Sequence, residues 1–440
     1  MKIDYFIEKL DVAIRFFFYV LIFWIPYSNA AIESSFGFCF FFWMIKRVLI
    51  FVKSDKTGMN LGCKALMFLK AFKPICSGIN RPIYYFLLAC VFSALWSVSP
   101  AISAFSFFAK TLEVYLIFFV IVEVFTDKKQ VFIALGVLTF TAFSTVIDSF
   151  IQHYITFRDI FNGQEAFNND RATAAFKTAN SLGAYLVVAI PVVLSMAFQR
   201  SKKFLFRLLL MIIVFCMCWS LLITYSRGAW VAASVAVLFF VLFSVIKNKK
   251  LVSVGLLFVI AILVISLFVG LRMKKNFGSK ELNRANTVAW RVGVWKESIE
   301  MIKNKPFLGY GINTFANEFQ KFRKIPSANP TYAHNCYIQI AAETGLLGLI
   351  CFLWIIISIF KKITHSISVR LMGSNNLRIV SVGIAAGIFG LLFHSFFDTD
   401  LYSLQLSMFL WSMIALEMAI CNILIKDEKD KRDISSITTK

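Results

Sequence analysis

Long apolar stretches alternate with short polar ones along almost the whole chain. A helix needs about 20 apolar residues to cross a bilayer, and stretches near that length occur about twelve times. The pattern therefore predicts an all-α polytopic membrane protein of about 12 transmembrane helices. The predicted spans are 11–27, 30–50, 82–98, 101–125, 131–151, 179–198, 208–225, 228–246, 251–271, 337–360, 379–397 and 402–425.

The composition agrees with this fold class. Hydrophobic residues make up 59% of the 440 residues and charged residues only 16%, whereas an average soluble domain is about 25% charged. A net charge of +22 is also typical of nucleic-acid-binding proteins. Here the basic residues follow apolar spans and form no single soluble face, so we expect no nucleic-acid partner. The cysteines form no CxxC pair, which gives no support to a zinc site or a disulfide framework.

The basic residues also orient the spans. Lysine and arginine follow every even-numbered span, as in Lys46 and Arg47 after the second and KDEKDKR after the twelfth. Such clusters mark cytoplasmic loops, so both termini are expected inside. The predicted division is residues 1–272 with helices 1–9, an outer loop at 273–336, residues 337–425 with helices 10–12, and a cytoplasmic tail at 426–440.

The predicted outer loop is long and basic. Long loops cross the membrane regardless of their charge, so its lysines do not contradict an outer location. WRVGVWKESIEMIKNK has the spacing of an amphipathic helix, and NTFANEFQKF predicts a second, shorter one. A cationic outer surface suits an anionic partner such as a phosphate group. Attraction to anionic membrane lipids is the alternative interpretation.

Three residues near the outer ends of spans have chemistry that could serve a reaction. His334 stands at the start of the tenth span, where a neutral imidazole could act as a base or could cap the helix. Arg227, in ITYSRGAWVAA, could face a cavity or extend to lipid headgroups. Arg291, between two tryptophans, could bind phosphate or lie on a plain helix surface.

Other polar residues lie within the predicted spans or at their ends. Lys110 and Glu113 are three residues apart and could neutralise each other. Glu343 lies nine residues after His334 and is expected to brace the bundle. His394 and Asp398 stand at the end of the eleventh span. None of these five is assigned a role in function.

Four segments together resemble the O-antigen ligase family, whose relatives include O-antigen polymerases. They are SRGAW (226–230), RVGVW (291–295), PFLGYGINTF (306–315) and HNCYIQIAAETGLLG (334–348). His334 and Gly345 match the family's H(x)10G motif. Its R(x)3L motif is met in part, because Val231 follows Arg227 and Trp295 follows Arg291 where the motif has leucine.

The resemblance implies a glycosyltransferase of the bacterial inner membrane with its active site facing the periplasm. Its donor would be a polysaccharide linked to undecaprenyl diphosphate, and its acceptor a sugar hydroxyl of lipid A–core. His334 would be the general base, and Arg227 and Arg291 would bind the diphosphate. The reaction would invert the anomeric carbon and need no cofactor and no metal. A repeat-unit polymerase with the same donor type and a lipid-linked glycan transporter are the alternatives.

Overall fold

The computed structural model of the chain describes residues 2–54, 61–166, 171–199, 203–245, 282–324, 330–368 and 375–438. The predicted ninth span, 251–271, lies outside these ranges. Regular structure in the described residues is almost entirely helical. The helices are α1 (Lys2–Trp24), α2 (Asn29–Ser54), α3 (Leu61–Phe72), α4 (Asn80–Leu95), α5 (Pro100–Val124), α6 (Lys128–Thr156), α7 (Ala179–Ala197), α8 (Phe204–Ile223), α9 (Arg227–Val245), α10 (Leu282–Asn304), α11 (Phe315–Phe319), α12 (Cys336–Ser368), α13 (Asn375–His394) and α14 (Leu404–Thr438).

Nine of these helices are long and apolar enough to cross a membrane. They are α2, α5 to α9 and α12 to α14, and each coincides with one predicted span. Helices also form at the predicted spans 11–27 and 82–98, but α1 and α4 are not among the nine candidates. At 16 residues, α4 is short for a full crossing. The structure thus confirms an all-helical, multi-pass membrane protein with nine candidate spans in its described part.

The centre of the bundle is built from α7 and α14, each 89% buried over its most apolar window, whereas α2 is only 28% buried. Small residues let the central helices approach closely. A Cβ atom on Gly387 of α13 would lie 2.8 Å from the carbonyl oxygen of Val188 on α7. Helices packed this tightly hold their ends in fixed positions, and a cluster of polar residues lies at one set of these ends.

A short connection inserts into a break in α12. Gly345 has a φ of 71° and interrupts the helix. The amide of Leu346 donates to the carbonyl of Pro306 at 2.7 Å, and the amide of Tyr310 donates to the carbonyl of Ala342 at 3.0 Å. A Cβ atom on Gly345 would overlap the carbonyl of Phe307. Gly345, the second residue of the H(x)10G motif, therefore makes room for the backbone of residues 306–311.

The described residues between α9 and α12 include a small hydrophobic core of their own. Val294 and Met301 of α10 pack with Phe315 and Phe319 of α11. The indole of Trp295 donates to the carbonyl of Ala333 at 3.0 Å, which ties α10 to the start of α12. This packing fixes the face of α10 that carries Arg291.

Candidate active site

The polar site is arranged around the turn that joins α13 to α14. The start of α12 is bonded to this turn, because the amide of Cys336 donates to the carbonyl of Ser395 at 2.8 Å. Asn335 donates from its side chain to the carbonyl of Phe396 at 3.1 Å. Its Oδ1 accepts the amide of Tyr337 at 2.9 Å and so caps α12. These bonds place His334, one residue earlier, beside the turn.

His334 points its side chain at the turn instead of capping the helix. Its Nδ1 lies 3.2 Å from Oδ1 of Asp398, and its ring meets the ring of Trp290 edge-on at 5.4 Å. Nε2 has no hydrogen-bond partner among the described residues, and the side chain is 31% exposed. The backbone φ of 50° is left-handed, a conformation that costs a non-glycine residue about 1–3 kcal/mol and is frequent at functional sites.

Arg291 reaches the same turn from α10. Its Nη1 donates to the carbonyl of Phe397 at 2.7 Å, and its Nη2 lies 3.9 Å from Oδ2 of Asp398. Its Nε–H is buried and has no hydrogen-bond partner among the described residues. The guanidinium is thus held by the turn, and the side chain remains 25% exposed, so part of it is accessible to an anion.

Asp398 lies between the imidazole and the guanidinium. Burial acts to raise the pKa of Asp398, but the hydrogen bond to His334 and the electrostatic effect of His334 and Arg291 outweigh it. The net effect is a pKa well below the usual range, so the carboxylate stays ionised throughout the neutral range. It also accepts the amide of Thr399 at 2.9 Å and the side-chain amide of Asn180 at 2.7 Å.

Arg227 is the first residue of α9, and its helix packs on the same turn. A Cβ atom on the adjacent Gly228 would lie 3.5 Å from Nε2 of His394 and 3.5 Å from Cβ of Phe397. The side chain of Arg227 is exposed and makes no hydrogen bond or ion pair within the described part of the chain. The structure therefore brings His334 and Arg291 into one cluster and places the backbone of Arg227 next to it.

Several polar residues of the cluster have no role in the sequence-based prediction. Asp398 and His394 drew notice only as polar residues at the end of a span. Asn180 gave no signal, because a polar residue at a helix start is ordinary. His394 forms a second buried pair, with its Nδ1 2.8 Å from Oδ2 of Asp400. That pair lies within the turn and helps to fix its shape.

The other polar residues of the spans lie elsewhere. Glu343 is buried, with Oε1 accepting from Gln339 at 2.8 Å and Oε2 accepting from Tyr402 at 3.1 Å, which fits a bracing role. Lys110 and Glu113, both among the described residues, form no ion pair with each other. Among the described residues, no group of three or more His, Cys, Asp or Glu side chains is arranged to hold a metal ion.

Comparison with known proteins gives three findings. Residues 212–353 match the family described as O-antigen ligase. Over 206 residues, 46% of the chain, the sequence is 21% identical to the "ComP-specific O-oligosaccharyltransferase" of Acinetobacter baylyi. Over 192 residues, 41% of the chain, it is 28% identical to a protein of Rickettsia typhi provisionally named a polysaccharide ligase. The alignments cover 36% and 46% of the lengths of these curated relatives.

The fold and the site define a multi-pass helical membrane protein with a polar, arginine-bearing site at one end of its helices. Within it, residues 212–353 are an O-antigen ligase family domain, which confirms the family resemblance. The domain contains Arg227, Arg291 and His334. Asp398 and Asn180, which complete the cluster, lie outside it.

Proposed function

We propose that the chain is a glycosyltransferase that moves a glycan from undecaprenyl diphosphate to a sugar hydroxyl of lipid A–core at the periplasmic face of the inner membrane. The observation that carries this proposal is the meeting of His334 and Arg291 at Asp398, with the first turn of α9 packed on the same turn. A base and anion-binding guanidinium groups are what such a transfer needs. The family match supports the donor class.

In this mechanism His334 removes the proton of the acceptor hydroxyl. Its Nδ1 is engaged by Asp398, so the unbonded Nε2 is the nitrogen that accepts the proton. The hydroxyl oxygen bonds to the anomeric carbon while the bond from that carbon to the diphosphate oxygen breaks. Attack from the face opposite the leaving group inverts the carbon. Asp398 stabilises the imidazolium that forms, because its carboxylate is ionised.

The leaving group is undecaprenyl diphosphate, and its negative charge grows as the bond breaks. Arg227 and Arg291 bind it by charge-assisted hydrogen bonds, which strengthen as that charge develops. Arg227 is exposed and makes no hydrogen bond or ion pair within the described part of the chain, and the side chain of Arg291 is 25% exposed. Two guanidinium groups take the charge-neutralising role in this proposal, so it requires no metal and no cofactor.

A second candidate acceptor comes from the Acinetobacter relative, which is named for oligosaccharide transfer to ComP. A protein hydroxyl would take the place of the sugar hydroxyl, and donor, base and arginines would keep their roles. The observations inside the described site fit either acceptor, because they concern the donor side and the base. The match to the family described as O-antigen ligase favours the lipid A–core acceptor.

The banding pattern of lipopolysaccharide in a strain that lacks the gene separates the candidates. A ligase deletion leaves lipid-linked polymer intact and lipid A–core without polymer. A repeat-unit polymerase deletion leaves lipid A–core capped with single units, and a protein glycosyltransferase deletion leaves lipopolysaccharide unchanged. Either of the last two patterns would contradict the proposed acceptor.

The base is tested by changing His334 to Ala in the full-length protein. Transfer of glycan from the lipid-linked donor should fall at least about 10²-fold, because general-base catalysis contributes about 10²–10⁴-fold, while insertion and thermal stability stay close to those of the wild type. His365→Ala is the matched control, since this exposed histidine lies near the other end of α12. Near-normal turnover by the His334→Ala variant would remove the assignment.

A further inference from the structure

The two oxygens of the Asp398 carboxylate have different partners. Oδ1 faces His334 Nδ1 at 3.2 Å and accepts the amide of Thr399 at 2.9 Å. Oδ2 accepts the side-chain amide of Asn180 at 2.7 Å and lies 3.9 Å from Nη2 of Arg291. The carboxylate is therefore held from two sides, and its rotation would break contacts on both.

The amide of Asn180 is held in one orientation by Arg171. Nη2 of Arg171 donates to Oδ1 of Asn180 at 3.0 Å. A guanidinium has only donors, so the oxygen of the amide must face Arg171 and its NH₂ group must face Asp398. Arg171 is itself anchored, because its Nε donates to the carbonyl of Thr224 at 2.9 Å, just beyond the end of α8.

The order of donors and acceptors extends to the base. An ionised Asp398 only accepts, so the nitrogen of His334 that faces it must carry the proton, and the lone pair lies on Nε2. Arg171 thus fixes the polarity of the bond between Asn180 and Asp398, and the ionised Asp398 fixes the polarity of the contact with His334. Arg171, Asn180 and Asp398 all lie outside the family domain at 212–353.

We propose that Asn180, oriented by Arg171, is a positioning residue that holds Asp398 in the rotamer that keeps the free lone pair of His334 on Nε2. This inference rests on the proposed function, in which Nε2 is the base. A role limited to bracing the 171–180 segment against the turn would need a hydrogen bond at this place, but it would not need this polarity. Variants that keep the hydrogen bond but reverse its polarity distinguish the two roles.

The first variant is Asn180→Asp, which keeps the oxygen that faces Arg171 and removes the NH₂ donor. Two carboxylates would then face each other, and Asp398 would turn away from its present position. We expect kcat for glycan transfer to fall about 10- to 100-fold, with KM for the lipid-linked donor within about twofold of the wild type. Asn304→Asp is the matched control, because among the described residues Asn304 bonds through its oxygen alone, as an acceptor from Tyr310.

The decisive variant exchanges the two side chains. Asp398→Asn alone places an amide against the amide of Asn180, and the new side chain relieves the clash by turning its NH₂ group towards His334, which forces the wrong tautomer. In the double variant Asn180→Asp with Asp398→Asn, the new amide donates to Asp at position 180 and its oxygen again accepts from His334. We expect its kcat to exceed that of both single variants by at least about fivefold.

Two results would overturn the proposal. One is a kcat near that of the wild type in the Asn180→Asp variant. The other is a double variant in which the two losses simply multiply, since this would show that the residues act independently. The same four proteins are compared by melting temperature in detergent, where the exchange should also restore stability. If the wild-type chain transfers no glycan, the proposed function fails, and the melting temperatures still decide whether the bond has this polarity.

Discussion

At the scale of the residue, the difference between an arginine and a lysine is decisive at position 291. Arg291 uses one nitrogen for the carbonyl of Phe397 and another towards Asp398, and its Nε–H has no partner among the described residues. A lysine has one ammonium group and cannot make these contacts together. We expect Arg291→Lys to lower kcat/KM for transfer about 10²-fold, the usual cost of losing one donor to a developing charge. Arg158→Lys, the same change at an exposed site, should leave kcat/KM unchanged and serves as the control. Equal activity of both variants would contradict this role.

Some residues of the site could be identified from the sequence alone, and others could not. His334, Arg227 and Arg291 could be selected from the sequence because they stand in motifs with unusual chemistry for a membrane boundary. Their partner Asp398 could be noticed but not assigned, since 64 residues separate it from His334. Asn180 could not be found, because its importance depends on which way its amide points. That orientation follows from contacts with segments distant in sequence, and apolar periodicity does not encode them.

At the scale of the element, the break in α12 determines how residues 306–311 are held against this helix. An alanine at Gly345 would combine an unfavourable φ of 71° with an overlap between its Cβ and the carbonyl of Phe307. We expect Gly345→Ala to lower the unfolding free energy by at least about 2 kcal/mol, seen as a clear drop in melting temperature in detergent. Gly136→Ala is the control, because nothing lies within 4 Å of a Cβ atom there. Gly136→Ala should not lower the melting temperature, because alanine is the better helix former, and a drop of equal size there would contradict the assignment of the loss to the overlap at Gly345.

Helices were the part of the fold most open to prediction. An apolar run such as 208–225 is expected to cross a bilayer as a helix, because a helix satisfies the hydrogen bonds of its own backbone groups. The predicted span 82–98 does form a helix, α4, but its 16 residues are short for a full membrane crossing. The break at Gly345 could not be read from the run 337–360, which is continuously apolar after its first turns. It depends on the backbone of residues 306–311, which lie about 35 residues earlier in the chain.

At the scale of the whole molecule, every element that contributes to the site does so at the same end of the bundle. Helices α7, α9 and α12 begin there, and α8 and α13 end there. The basic clusters that the sequence predicts to be cytoplasmic lie near or just beyond the other ends of α2, α5 and α12. The antiparallel arrangement of the spans therefore places the site and the basic clusters at opposite ends of the bundle. If the basic clusters are cytoplasmic, the site lies on the periplasmic side.

Cysteine labelling can test this orientation with two positions joined by one helix. Glu165 follows the C-terminal end of α6 and is 68% exposed, and Lys129 is exposed at the start of the same helix. In spheroplasts, a membrane-impermeant maleimide should label a Glu165→Cys variant at once and a Lys129→Cys variant only after lysis. The parent chain, labelled in parallel, reports the background from native cysteines such as the exposed Cys76. The opposite pattern would place the site in the cytoplasm, where His334 could not meet an acceptor on the periplasmic side, and the proposed reaction would fail for that reason alone.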